Sequence, residues 1–326
     1  MPFLLRRTLF YLAAFIAAAT INFFLPRMMP GDPVALMFSS AATELPPESL
    51  AALKLTFGFV DGPIWQQYLT YLASIFTGDL GMSVKYFPLP VTELLGRALV
   101  WTVGLVGTAT IISFVLGSFL GMLAAWRRGT RLDVVISVCS IFATSIPAVV
   151  TSLVALYFFG FTFGWFPTGY AHDPALDPSF SLQFAGSVLY HALLPMITLC
   201  VVLTGGFTVT MRNNMINLLG QDYVVMARAK GLSDRRVMVW YAARNALLPA
   251  VSSLAIALGT VLGGSLVTEV VFNYPGLGNT LYQAILARDY PVIQGQLLVM
   301  TAAMLVANFI VDVTYVLLDP RLKGSG

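Results

Sequence analysis

Few side chains in this sequence are equipped for chemistry, and their spacing limits what they could do. His172 falls in a stretch rich in Asp and Pro, His191 at the start of an apolar run, and no metal-ligand spacing joins them. The lysines follow Leu53, Val84, Ala229 and Leu322, never glycine. A G-x-x-x-x-G-K loop that could cradle phosphate is therefore missing, so the chain is not itself a P-loop ATPase. Cys139 and Cys200 lie inside apolar runs and read as small packing residues. Two acids stand where charge is costly: Asp312 well inside an apolar run and Glu269 at the end of another. Asp312 admits a proton-relay reading, but a local hydrogen-bonded pair with Asn308, one turn away, is preferred. No catalytic residues, no metal site and no cofactor held by this chain are expected.

What must carry these residues is a set of long apolar elements. The 326 residues are 58% hydrophobic and only 10% charged, against about 25% charged in soluble domains. A water-soluble surface could not be covered with so few charges, and a net charge of +3 is too small and too scattered to argue for nucleic acid. The uncharged runs are Thr8–Pro26, Ala98–Trp126, Val134–His172, Pro178–Met211, Asn245–Thr268 and Tyr290–Val311. Each can hold the ~20 residues that cross a ~30 Å hydrocarbon core. Asn273-Tyr-Pro-Gly-Leu-Gly-Asn279 splits the run from Val270 to Ala287, which reads as an interfacial or re-entrant turn. The expected fold is an all-α integral membrane protein of six transmembrane helices, residues 1–326 forming a single transmembrane domain. Arg6-Arg7 before the first run resembles a secretory leader, but no small-residue cleavage site follows, and the run is read as a retained helix.

Basic residues orient the spans. With the N-terminus inside, thirteen fall in inner segments and five in outer ones, and the short Trp126–Arg131 turn weighs most. The positive-inside rule then places both termini in the cytoplasm. Residues 29–98 become a folded extracytoplasmic loop with helical stretches at Pro47–Leu55 and Pro63–Phe76, and residues 212–249 a cytoplasmic loop. Two G-x-x-x-G patterns, Gly117/Gly121 and Gly259/Gly263, provide candidate helix-packing faces. Pro147 is expected to kink the third span.

The inner loop is the most informative segment. It reads Gln221-Asp-Tyr-Val-Val-Met-Ala-Arg-Ala-Lys-Gly-Leu-Ser233, then Arg244-Asn-Ala-Leu-Leu-Pro249. Asp222 is placed to cap a short helix, on which Tyr223, Met226, Ala227 and Lys230 recur at i, i+3, i+4 and i+7. Gly231 is placed to end it in a left-handed corner. Ser233 can cap the next helix, with Leu232 and Val237 as a hydrophobic staple. On physics alone, this helix suits either lipid head groups or a soluble partner.

That segment resembles the cytoplasmic "EAA" loop of ABC importer permeases, closest to their peptide/nickel branch. Val225 and Met226 stand where the general pattern has its first two letters, while Ala227 and Gly231 match. Further matches are Pro30-Gly-Asp-Pro33, Gly78-Asp-Leu-Gly81, Gly164-Trp-Phe-Pro-Thr-Gly169, Phe272-Asn-Tyr-Pro-Gly-Leu-Gly278, Arg288-Asp-Tyr-Pro291 and Asp319-Pro-Arg321. The resemblance implies a bacterial or archaeal inner-membrane subunit, paired with a homologous permease. Two ATP-binding subunits would hold the ATP and Mg, and an extracytoplasmic solute-binding protein would deliver cargo. It assigns Asp222, Tyr223, Met226, Ala227, Arg228, Lys230 and Gly231 to coupling with the ATPase. Peptides are the first reading of the cargo, with oligosaccharides or nickel as alternatives. A proton-coupled secondary transporter, resting on Asp312, is the rival from another class.

Overall fold

The computed structural model describes residues 2–25, 28, 62–261 and 265–318. The expectations placed on Pro30–Pro33, Pro47–Leu55, Gly263 and Asp319–Arg321 lie outside those residues. The described chain is mostly helical. Its helices are α1 (Pro2–Phe24), α2 (Ile64–Thr77), α3 (Val91–Trp126), α4 (Arg131–Ser145), α5 (Ala148–Thr162), α6 (Leu182–Leu219) and α7 (Asp222–Ala229). Then α8 begins at Asp234–Arg236 and runs through a wide turn, Val237–Ala243, into Arg244–Val261. After it come α9 (Leu266–Val271), α10 (Leu277–Ala287) and α11 (Tyr290–Leu318). Among the described residues, five helices are long and apolar enough to cross a membrane, or six if α4 and α5 together are one span. That pair bends by 95°. The effect of Pro147 is thus larger than the expected kink: Ile146 and Pro147 are both extended, and the helix stops and restarts. The Asn273–Asn279 segment separates two helices of 6 and 11 residues, each too short to cross. At that corner Tyr274 is buried; burial, and behind it the Glu269 carboxylate, pushes its phenol up to about 12.

The chain forms two compact units. One contains α1, α2, the first part of α3 (Val91–Thr102), α10 and α11. Its core joins Val91, Leu95 and Ala98 to Leu277, Ala284 and Val292. Buried Asp289, at the corner between α10 and α11, accepts from the Ser83 hydroxyl and from the Lys85 backbone N–H at 3.0 Å. This fastens the segment after Gly78, which itself ends α2 in a left-handed conformation. Asp312 does not pair with Asn308. Its carboxylate accepts from the Tyr11 hydroxyl at 2.6 Å and meets Arg7 at 3.1 Å, so α11 is clasped to α1.

The other unit contains Val103–Trp126 of α3, helices α4 to α8, and Val267–Tyr274. Its main seam is α3 against α6, with no room for side chains at two points. A Cβ on Gly117 would sit 2.6 Å from Phe207 Cβ and 2.8 Å from the Thr204 carbonyl oxygen. One on Gly121 would meet the Thr208 carbonyl oxygen at 2.5 Å. On another side of α6, a Cβ on Gly205 would lie 2.6 Å from the Ser140 carbonyl oxygen of α4. Gly259 is buried in α8. Close backbone approach of this kind is how helices associate in lipid, where apolar burial gives little drive. Where α4 begins, Asp133 takes a two-bond grip on Arg212 of α6, at 2.7 and 3.0 Å, and also accepts from the Gly129 N–H.

Candidate coupling site

The site is built at the end of α6. After Leu219 the chain turns at Gly220 and Gln221, and α7 starts. Gln221 has an extended backbone and its carbonyl accepts from Val224 and Val225 at 2.9 and 3.1 Å. It, and not Asp222, therefore holds the capping position. Asp222 is the first residue inside the helix, where an acid still favours the positive end of the helix dipole. The helix closes with Gly231 at φ 71°. The Gly231 N–H donates to the Arg228 carbonyl at 2.9 Å and the Leu232 N–H to the Ala227 carbonyl at 3.4 Å. Those two bonds form a Schellman ending, which satisfies carbonyls the helix would otherwise orphan. A Cβ on Gly231 would meet nothing within 4 Å. The position calls for glycine because of its backbone conformation, not for lack of space.

Ser233 then occupies the capping position of α8, with extended backbone and no side-chain bond. The staple forms: Leu232 packs with Val237 in one cluster. Because the corner folds α8 back, this cluster gathers Val224, Ala227 and Val237, with Trp126 and Tyr241 against them. Val224 is 0% and Ala227 2% exposed, whereas Tyr223 is 38%, Val225 55% and Met226 64% exposed. The expected grouping of Ala227 with Tyr223 and Met226 is corrected here. Ala227 shares the inner face with Val224, since the returning α8 must cover whichever side of α7 faces it. A small residue three after a valine, opposite a staple, was the available signal.

The outer face is apolar in its middle and basic towards its end. Arg228 and Lys230 are exposed, and the Arg228 guanidinium lies over the Trp126 ring at 4.9 Å from its centroid. This ties α7 to the end of α3. The arrangement offers no nucleophile, metal ligands or acid–base pair. What it offers is a short rigid helix, locked on one side to its own chain and open on the other.

Comparison with known proteins identifies the family. Residues 117–324 match the family model described as the binding-protein-dependent transport system inner membrane component. Residues 1–99 match the N-terminal membrane component of the same systems. The dipeptide transport system permease protein DppB of Escherichia coli K12 is 33% identical, over 99% of each chain. The oligopeptide transport system permease protein AppB of Bacillus subtilis is 31% identical, over 98% of this chain and 99% of its own. The di/tripeptide transport system permease protein DppB of Pseudomonas aeruginosa is 31% identical over 99% of both. With near-complete coverage by such relatives, and with its apolar helices, the chain belongs to the inner-membrane permeases of binding-protein-dependent ABC transporters, in their peptide branch.

Proposed function

We propose that this chain is one of two permease subunits of an ATP-driven peptide importer, and that α7 docks in a groove of the ATPase to couple hydrolysis to transport. The observation that carries the proposal is the two-sidedness of α7. Val224 and Ala227 are spent on its own chain, which leaves Tyr223, Val225 and Met226 as an apolar outer surface. The chain crosses the membrane six times with both termini in the cytoplasm, α7 lies on that side, and the 29–98 segment lies outside. An extracytoplasmic binding protein supplies the solute, a homologous permease completes the path, and ATP and Mg are held in the partner subunits. The names of the relatives favour peptides over oligosaccharides or nickel. Asp312 is held by Arg7 and Tyr11, which argues against a free proton carrier.

Met226→Asp tests this reading. Being 64% exposed, Met226 can become Asp at a cost of only about 1 kcal/mol, from lower helix propensity and repulsion by Asp222 one turn away. In an apolar groove the carboxylate would lose its water, at several kcal/mol, and ~1.4 kcal/mol is already tenfold in affinity. The variant should reach the membrane in normal amount but lose both peptide uptake and co-purifying ATPase. Exposed Arg235→Ala, on α8, is the control and should keep both. Normal uptake and normal ATPase recovery with Met226→Asp would show that α7 rests on lipid head groups instead.

A further inference from the structure

The break between α4 and α5 leaves backbone exposed where a membrane protein cannot leave it to lipid. Pro147 has no N–H to give to the Ala143 carbonyl. The 95° bend carries the N–H groups of Ala148 and Val149 away from the carbonyls of Thr144 and Ser145. Thr144, Ser145 and Pro147 are all exposed. Both hydroxyls turn back on the helix, Thr144 donating to the Ile141 carbonyl at 2.9 Å and Ser145 to the same carbonyl at 2.8 Å. Their protons are used, and their lone pairs remain. The break is therefore an uncharged cluster of hydrogen-bonding groups, the unused carbonyl acceptors at the end of α4 beside the N–H donors of Ala148 and Val149 at the start of α5.

Its depth follows from the neighbouring helix. The Asp133–Arg212 grip fixes one level of α4 against α6, and the close approach of Gly205 to Ser140 shows that the two stay together along their length. From Asp133 to Ile146 the helix advances about 20 Å at its ordinary rise, inside a hydrocarbon core ~30 Å thick. The surrounding run, from Val134 to His172, is uncharged. Irregular backbone at that depth persists only against protein or in a water-filled cavity, because lipid supplies no donors.

Building on the permease reading, we propose that the Thr144–Pro147 break lines the translocation path and holds the passing peptide by accepting hydrogen bonds from its N–H groups and its ammonium terminus. The chemistry fits in both directions. An extended peptide brings an N–H donor at every residue except proline, and a terminal ammonium with three donors. Neutral acceptors bind these without the strength of an ion pair, so the solute can leave as readily as it arrives. They also read the backbone alone, which suits a path for peptides of varied sequence.

The test uses the whole transporter with its ATPase and binding protein, in nanodiscs. Cys139 and Cys200 are replaced by Ala, and Ser145→Cys is compared with Ser179→Cys in the exposed loop before α6. A small cationic methanethiosulfonate should label Ser145→Cys within about tenfold of the loop rate, since only a hydrated thiol ionises to the reactive thiolate. Trialanine, loaded on the binding protein with ATP present, should slow that labelling by about threefold, as bound peptide covers the break. Slower basal labelling would mean that neighbouring protein packs over the break, and labelling indifferent to trialanine would mean a wet surface away from the path. Either overturns the proposal. Trialanine uptake by the unsubstituted transporter is measured alongside. If uptake is normal, a negative labelling result removes only this proposal; if uptake is absent, the peptide-permease reading falls and takes the proposal with it.

Discussion

Gly205 and Gly206 are neighbours on α6 with opposite surroundings, and replacing each by Ala measures how closely α4 and α6 are packed. A Cβ on Gly205 would lie 2.6 Å from the Ser140 carbonyl oxygen and 2.8 Å from Thr144 Cγ2. That is roughly 1 Å inside the ~3.5 Å optimum for such atoms. The nearest obstacle is backbone, which cannot rotate away, so α4 must retreat. A gap of 0.5–1 Å forfeits about a quarter to a half of each dispersion contact along the seam, and overpacking of this kind costs about 1–3 kcal/mol. A Cβ on Gly206 would meet nothing within 4 Å. Gly→Ala inside a helix normally gains ~1 kcal/mol in propensity, but that gain is common to both sites and cancels in the comparison. Gly205→Ala should therefore fall below Gly206→Ala by about 1–3 kcal/mol. Intrinsic-fluorescence melting of the purified protein in detergent would show it as a lower midpoint for Gly205→Ala, with Gly206→Ala at or above the parent. Equal midpoints would refute the close approach and, with it, the depth assigned to the Thr144–Pro147 break.

Two further outcomes are expected. Asp133→Asn should destabilise the protein by about 1–2 kcal/mol, because it leaves the Arg212 guanidinium, whose side chain is 24% exposed, short of its counter-charge. The reversed pair, Asp133→Arg with Arg212→Asp, should recover only part, since the Gly129 N–H and Ser137 hydroxyl now bonded to Asp133 would face a cation. The same melting assay decides, and an unchanged midpoint for Asp133→Asn would count against the grip. For topology, in a cysteine-free chain in intact cells, Ser179→Cys should react with an impermeant thiol reagent added outside and Ser233→Cys should not. Both positions are exposed, so the reverse pattern would invert the proposed orientation.

Features written in local sequence were legible; partners distant in sequence were not. Uncharged runs located the long helices, Pro147 the position of the break though only as a kink, the Pro63–Phe76 stretch most of α2, and Gly231 the left-handed corner. Each follows from the backbone chemistry of one or two residues. Asp312 was read with its nearest neighbour, Asn308, yet binds Tyr11, 301 residues away. Helical spacing reveals what shares a face and not which opposing helix will claim it. Arg212 was likewise counted among loop charges, although it lies inside α6 with Asp133 as its buried partner. Removing it leaves the basic asymmetry lopsided, twelve to five, so the orientation argument does not depend on it.

The same limit governed α7, where spacing gave one face and folding made two. A helix of eight residues is marginal alone, so a partner can move it usefully only if its other side is fixed. The Schellman corner, the Leu232–Val237 staple, the cluster of Val224 and Ala227 with Val237 and the Arg228–Trp126 stack provide that fixing. They reach both the end of α3 and the start of α8. A push on Tyr223, Val225 or Met226 is thereby delivered to two long helices rather than absorbed in a loop, which is what coupling by this element requires.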